Sequence, residues 1–413
     1  MPTIVMKFGG TSVGSVERLQ RVADRVVAAR EAGNDVIVVV SAMGQTTDEL
    51  LSMAAAITAT PDPRELDMLL TAGERITMSL LGIALNGRGC KAASYTGSQA
   101  GIMTDTQHGA AKITEIRPKR IIEALGAGNV VILAGFQGLS SDYEITTLGR
   151  GGSDLTAVAM AGAVGAGICE IYTDVDGVFT ADPRIVRDAR KVDVIDYDEM
   201  LELSTAGAKV LQSRSVEVAR RHDVQVHVRS TFTDADGTWV RDRSDDEMEG
   251  VLISGVALDT DEAKVTIVEV PDQPGVAARL FKAIAAEGIS IDMIVQNVSH
   301  RSRTDMSFTT PRADLARLQD ALGPLTNEIG ADRFSIDDDI AKISLVGAGM
   351  KSHPGVAADM FDALAEAGVN IQIISTSSIR ISCVVPLADV ERAVRAVHER
   401  FALHEPVVAA ETG

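Results

Sequence analysis

The chain has 413 residues, 46% of them hydrophobic and 23% charged, with a formal net charge of −19 at pH 7. That length exceeds one ordinary core and sets an expectation of two or three domains, while the apolar share excludes wholesale disorder. The acidic balance argues against nucleic acid or an anionic membrane as the main partner, so any phosphate site has to be a local concentration of Lys, Arg and backbone N–H groups.

Near-continuous apolar runs alternate with helical patterns through the first half. Strands are expected at TIVMKF (3–8), DVIVVVSAM (35–43), NVVILAG (129–135) and CEIYTDV (169–175), with helices between them such as VERLQRVADRVVAAREAG (16–33), closed by Gly33. Val/Ile runs separated by helices predict an α/β fold with a mostly parallel sheet covered on both faces, and functional groups at the carboxyl ends of its strands. No long apolar run precedes the first charged residues, so no signal peptide is expected. The apolar stretch 157–169 is too short and glycine-rich to span a bilayer. Cys90, Cys169 and Cys383 lack CxxC or His-partner spacing and read as reduced thiols in a cytoplasmic protein.

Around residues 230–250 the texture turns polar, acidic and rich in turn formers, which marks a domain boundary. Beyond it lies an internal repeat. KVTIVEV (264–270) leads to PGVAARLFKAIAAEGISIDMI from Pro274, and KISLVGAG (342–349) leads to PGVAADMFDALAEAGVNIQII from Pro354. About half of the aligned positions are identical, with Phe281 falling on Phe361 and Gly288 on Gly368. Two copies are too few for a solenoid, and each reads strand, helix, strand, strand, helix, strand, the ferredoxin-like order.

The Walker pattern and a complete GxGxxG after a strand are both absent, so a nucleotide would need another cradle. KFGGTS (7–12) follows the first strand. Gly9 and Gly10 can turn backbone N–H groups toward an anion, the following helix N-terminus adds partial positive charge, and Lys7 supplies a full one. A capped turn with Lys7 in solvent would use the same glycines. TTLGRGGSDLTA (146–157) places Arg150 before Gly151, Gly152, Ser153 and Asp154, a guanidinium fork for a carboxylate or phosphate where the backbone allows close approach. A hairpin loop with an N-cap explains Ser153 and Asp154 but not Arg150. In YTDVDGVFTADPR (172–184), Thr173, Asp174 and the run Phe179, Thr180, Ala181, Asp182, Pro183, Arg184 suit the edge of an adenine-ribose pocket, or are consecutive turns. Asp174 and Asp176 do not complete a calcium loop. Lys209, Glu74 and the hydroxyls of Ser41 and Thr47 are weak signals singly, yet they too lie at expected strand exits or helix starts.

In order along the chain, VMKFGGTSV, SAMGQTTDELL, MLLTAGERI, YTGSQAG, TLGRGGSD, YTDVDGV and ADPR resemble the aspartokinases, of the amino-acid-kinase fold, and the tandem repeat resembles that family's two ACT domains. The resemblance runs from near residue 3 to beyond residue 400. It implies a catalytic domain over 1–245, a mostly parallel three-layer sandwich, followed by ferredoxin-like βαββαβ ACT domains over 263–337 and 341–410. It implies ATP with Mg2+ held mainly by the nucleotide phosphates, and phosphorylation of L-aspartate to 4-phospho-L-aspartate. By the family's pattern Lys7 and Asp154 serve catalysis. Lys7, Phe8, Gly9, Gly10, Thr173, Asp174, Phe179 to Arg184 and Lys209 hold ATP. Ser41, Thr47, Glu74, Arg150, Gly151, Gly152 and Ser153 hold aspartate. Effector sites for lysine or threonine fall on Asp272, Gln273, Pro274, Gly275, Val276, Ala277, Ser290, Ile291, Asp292, Gln296, Asn297, Asn370, Ile371, Ser377 and Ser378. The resemblance also implies a homo-oligomer assembled through ACT domains, and Met248 stands where some relatives start a separate regulatory subunit.

Three positions depart from the family's pattern: Phe179 where tyrosine is usual, Gln212 where histidine is common, and Ser378 where a glutamate could hold a lysine effector's ammonium. The nearest rival is another amino-acid kinase, acting on glutamate or acetylglutamate. A catalytically silent amino-acid sensor is a second rival, and the retention of Lys7, Arg150 and Asp154 together speaks against it.

Overall fold

The computed structural model describes residues 1–243, 252–297, 302–350, 353 and 355–405; Met248 and Pro354 lie outside them. The chain forms two compact units. The first comprises Met1–Val178, Lys191–Ser204 and Lys209–Glu249; the second comprises Phe179–Arg190, Thr205–Ala208 and Gly250–Gly413.

In the first unit the elements run β1 (Thr3–Phe8), α1 (Val16–Glu31), β2 (Asp35–Val40), α2 (Thr46–Ile57), α3 (Pro63–Leu70), α4 (Ala72–Gly87) and β3 (Ala92–Tyr95). They continue with β4 (Ile102–Thr104), β5 (Ile113–Ile116), α5 (Lys119–Gly126), β6 (Val130–Ala134), β7 (Gln137–Ser140), β8 (Ile145–Thr147), α6 (Gly152–Val164) and β9 (Ile168–Thr173). Last come β10 (Val194–Ile195), α7 (Tyr197–Thr205), α8 (Ser213–Arg221), β11 (Gln225–Ser230) and β12 (Thr238–Val240).

The main sheet has the order β10-β12-β11-β9-β1-β2-β6-β3, parallel throughout except where β11 meets β12. Its centre explains the apolar runs: Val36 to Val40 of β2 are fully buried because both faces are covered. One face packs on α1 and α4 through Leu19, Val22, Val26, Leu81 and Leu85. The other packs on α6, whose residues Gly152 to Ala161 are all buried, a helix apolar on every side because it lies between the sheet and α8. This is the expected three-layer sandwich. The continuous stretch Pro63–Gly87 is long and apolar enough to cross a membrane by composition, but over half of that window is buried, and α4 packs on α1, β3 and β6 as a core helix does. A smaller sheet, β5-β4-β7-β8, lies beside α3.

The second unit begins, after the two short segments, with β13 (Leu252–Asp259) and β14 (Glu262–Pro271). The first repeat continues as α9 (Val276–Ala286), β15 (Ile294–Gln296), β16 (Arg303–Pro311), α10 (Leu315–Glu328) and β17 (Arg333–Asp337). The second is β18 (Ile340–Ala348), α11 (Gly355–Glu366), β19 (Ile373–Thr376), β20 (Arg380–Pro386) and α12 (Val390–Arg400). The two sheets are ordered β15-β16-β14-β17 and β13-β18-β20-β19. They share one layout, but the second takes its fourth strand from ahead of the first repeat: β13 pairs antiparallel with β18, Leu258 opposite Ile343. The repeat shows in backbone detail as well, since Gly288 and Gly368 end equivalent helices at φ 68° and 66°, the left-handed conformation that glycine adopts without steric cost.

The segment Phe179–Arg190 joins this unit through its apolar residues. Ala181 and Val186 are buried among Ile343, Leu345, Val394 and Val397, Thr180 accepts a backbone hydrogen bond from Val256 at 2.7 Å, and its hydroxyl meets His398 Nε2 at 3.0 Å.

Candidate active site

In the first unit the strand exits of β1 and β2 interlock. Gly44 N–H donates to Gly10 O at 3.0 Å, and a Cβ on Gly10 would stand 2.9 Å from Ala42 O and 3.2 Å from Gly44 O. Only glycine lets these two loops approach so closely, so the KFGG turn is built into a neighbour rather than standing alone. Phe8 turns its ring into the core, stacked on Tyr172 at 4.7 Å, and its carbonyl accepts from Ser41 N–H at 3.2 Å. Gly9 N–H donates to Tyr172 O.

Lys7, the next residue back on β1, points to the carboxyl end of the sheet. Its Nζ lies 2.5 Å from Asp154 Oδ1, with the two side chains 11% and 10% exposed. Asp154 stands in the first turn of α6, entered through Gly149 and Gly151 at φ 79° and 73°. A Cβ on Gly135, at the end of β6, would come within 2.7 Å of Ser153 Oγ, so this second glycine contact seats the α6 N-terminus against the sheet. A helix N-terminus with a cation at its mouth suits an anionic group.

These elements border a cleft of about 600 Å³ lined by Lys7, Gly10, Ser41, Thr47, Glu74, Arg150, Gly151, Gly152 and Ser153. All were expected in the site from the sequence. Glu74, 3% exposed, accepts from Ala42 N–H at 3.2 Å through Oε1, while its buried Oε2 has no hydrogen-bond partner among the described residues. Burial pushes its pKa up to about 7, against the smaller opposing pull of two backbone N–H groups. A buried carboxylate oxygen without a donor is costly, and Glu74 borders a cleft that also holds the exposed Arg150. Gly73 permits this placement, since a Cβ there would lie 2.7 Å from Ala42 Cβ.

Other expected residues lie elsewhere. Thr173 and Asp174 end β9, the Thr173 hydroxyl donating to Asp174 at 3.1 Å, and Lys209 is exposed in the same unit. Neither group borders the cleft. Phe179 to Arg184 belong to the second unit, where Asp182 and Arg184 form a bidentate ion pair that holds the carboxyl below the usual range. Gln212, standing where histidine is common, donates from Nε2 to Arg150 O at 3.3 Å. Sequence reasoning missed Asp67, Phe136, Thr147 and Gly149 on the cleft wall. Phe136 carries φ 71°, and nothing in its local sequence marks that.

In the second unit Asp272, Gln273, Pro274, Gly275, Val276, Ala277 and Gln296 line a second cleft of about 330 Å³. Gly275 caps α9 at φ 91°. Ser290, Ile291, Asn297, Asn370 and Ile371 do not border it. Asp292 is engaged by Lys342 at 2.5 Å, and Ser377 and Ser378 sit exposed at the β19–β20 turn.

Comparison with known proteins matches the amino acid kinase family over residues 2–230 and the ACT domain over 264–327 and 343–401. The chain is 54% identical to the aspartokinase of Mycobacterium tuberculosis and 50% identical to that of Corynebacterium glutamicum, each alignment covering 100% of both chains. Among solved structures it is similar to Escherichia coli aspartokinase III in complex with aspartate and ADP, at TM-score 0.84 and 26% identity over 97% of this chain and 99% of that one. The lysine- and aspartate-bound form of the same enzyme matches at TM-score 0.73 and 27% identity, over 96% of this chain and 98% of that one.

Proposed function

The chain belongs to the aspartokinase family, and from that premise we propose that it transfers the γ-phosphoryl group of ATP to the β-carboxylate of L-aspartate, giving 4-phospho-L-aspartate and ADP. The observation that carries this reading is Glu74 Oε2, buried without a partner among the described residues, with Glu74 bordering the cleft that holds Arg150. An α-amino acid has one ammonium and one α-carboxylate to satisfy that pair, which leaves its side-chain carboxylate to be placed by Thr47 and Ser41 toward Lys7.

The acceptor is ionised at pH 7, with a reference pKa of about 3.9, so no general base is required. The residues have two tasks: to hold two anions in line and to offset charge on the transferring group. Lys7 and the Gly10 N–H offset charge, the Gly9 N–H being taken by Tyr172 O, and Asp154 holds Lys7 in place. Thr173, Asp174, Phe179 to Arg184 and Lys209 are assigned to ATP by the family's pattern. Mg2+ is assigned to the nucleotide's own phosphates by the family's pattern, where it would draw electron density from the transferring group.

The second cleft is assigned to an amino-acid effector, lysine or threonine, because a turn led by Asp272 and capped by Gly275 faces Gln296 there. A homo-oligomer joined through the ACT domains, a cytoplasmic location in keeping with three free cysteines, and entry into lysine and threonine biosynthesis complete the proposal. Coupled ADP release tests it: turnover with aspartate is expected, and activity only with glutamate or acetylglutamate, or with none of the three, overturns it.

A further inference from the structure

Asp67, on α3, is 1% exposed and borders the active-site cleft, yet no step above uses it. Thr147 Oγ1 donates to its Oδ1 at 2.5 Å. Gly109 N–H donates to both oxygens at 3.2 Å, and His108 Nδ1 lies 2.7 Å from Oδ2. One carboxylate thus gathers three donors, from β8 and from the loop after β4.

Both attachments lead to Arg150. Thr147 is three residues before it, on the strand that runs directly into the glycine turn. Gly109 supports the same turn from beneath, because a Cβ on Gly149 would meet Gly109 O at 3.2 Å. Arg214 closes the frame, donating to Leu148 O at 2.8 Å and to Ala111 O at 2.9 Å. An arginine on a turn with two left-handed glycines has no helix or strand of its own to hold it, so its aim depends on what lies under the turn.

We propose that Asp67 is a positioning residue for the amino-acid acceptor, acting through Thr147 and the His108–Gly109 loop to fix the Gly149–Arg150 turn. It acts on the acceptor's α-carboxylate contact and not on the nucleotide. The proposal rests on the reading of Arg150 as the group that binds that carboxylate. Displacing such a group by a fraction of an ångström weakens binding without removing any contact atom.

Steady-state kinetics of full-length variants test it, with aspartate and ATP varied separately and thermal unfolding run alongside. Asp67→Asn and Thr147→Val are each expected to raise the aspartate KM about tenfold while the ATP KM stays within about twofold. Thr147→Ser, which keeps the hydroxyl, is expected to retain the wild-type aspartate KM. Arg150→Ala is the control and is expected to raise the aspartate KM further. If Arg150→Ala does so and a folded Asp67→Asn does not, the positioning role alone fails. If Asp67→Asn raises both KM values together, the residue is merely structural and the proposal fails too. An unchanged aspartate KM in Arg150→Ala overturns the reading of Arg150 and the proposal with it.

Discussion

Glu74 accepts a hydrogen bond from the backbone N–H of Ala42 at 3.2 Å, and this contact ties the first turn of α4 to the exit of β2. It satisfies one carboxylate oxygen and leaves the other buried and unpartnered among the described residues, a desolvation cost that a bound ammonium would offset.

The pH behaviour of Glu74 follows from its sign. With its pKa raised by burial from 4.5 to about 7, the native state holds a proton that the unfolded state has released between those values, so stability falls as pH rises through that window. A shift of that size corresponds to about 3 kcal/mol. Glu74→Gln is expected to melt higher than wild type at pH 8 and to lose that advantage at pH 4, in the absence of substrate. The same variant should raise the aspartate KM steeply. For wild type, kcat/KM for aspartate should fall as pH drops below about 7, and a flat profile between pH 6 and 8 would argue against the ammonium role.

Lys7→Ala is expected to lower kcat about a hundred- to a thousandfold with a small change in the aspartate KM, because the charge acts on the transferring group. Single-turnover measurements would separate this from slow product release. A variant with full activity would sink the charge role.

Gly10→Ala places a Cβ 2.9 Å from Ala42 O, against backbone that cannot swing aside. The β1 and β2 exits must part, at a cost of about 1–3 kcal/mol. Denaturant unfolding should show the loss, together with a drop in activity. Gly33→Ala serves as a comparison of a different kind, since nothing stands near its Cβ and only its φ of 89° opposes the change.

In the second unit Lys342 is fully buried on β18, with Glu262 Oε1 at 3.0 Å and Asp292 Oδ2 at 2.5 Å. Burial pulls its pKa down, but the two carboxylates outweigh that and hold it above the ordinary lysine value. Its contribution is therefore present at neutral pH and lost only in strong alkali. Lys342→Met leaves Glu262 and Asp292 of the first repeat, and Asp259 on β13, without the cation they share and should cost about 3–5 kcal/mol, read by chemical denaturation. Adding Glu262→Gln should recover part of the loss; no recovery would mean that the cation's packing, not its charge, is what matters.

Ser378 sits exposed in the β19–β20 turn, where a glutamate could hold an effector's ammonium. Ser378→Glu is expected to lower the lysine concentration needed for half inhibition. Equal lysine sensitivity in the two proteins would count against the position as a determinant.

Much of this site was legible in the chain because its parts are local devices. A lysine followed by two glycines, an arginine before two more, and a glutamate at a helix start each carry their chemistry in a few consecutive residues. Asp67 was not legible, since an aspartate inside LDMLL has no local mark and matters only through Thr147 and Gly109, brought to it by the small sheet. Phe136 was missed for a related reason: its φ of 71° is imposed by the packing of α6 and β8, not by its own neighbours in sequence.

By itself the sequence determined the alternation that makes a parallel sheet, the glycine turns at its strand exits, and the doubled ferredoxin-like repeat. Those follow from side-chain periodicity and backbone freedom, which act over a few residues. Only the tertiary structure decided that β13 completes the sheet of the second repeat rather than the first, and that Phe179–Arg190 packs with the second unit. Each of these depends on strand order and register, and on which apolar side chains can be buried together. Those are properties of the whole fold, which no local pattern encodes.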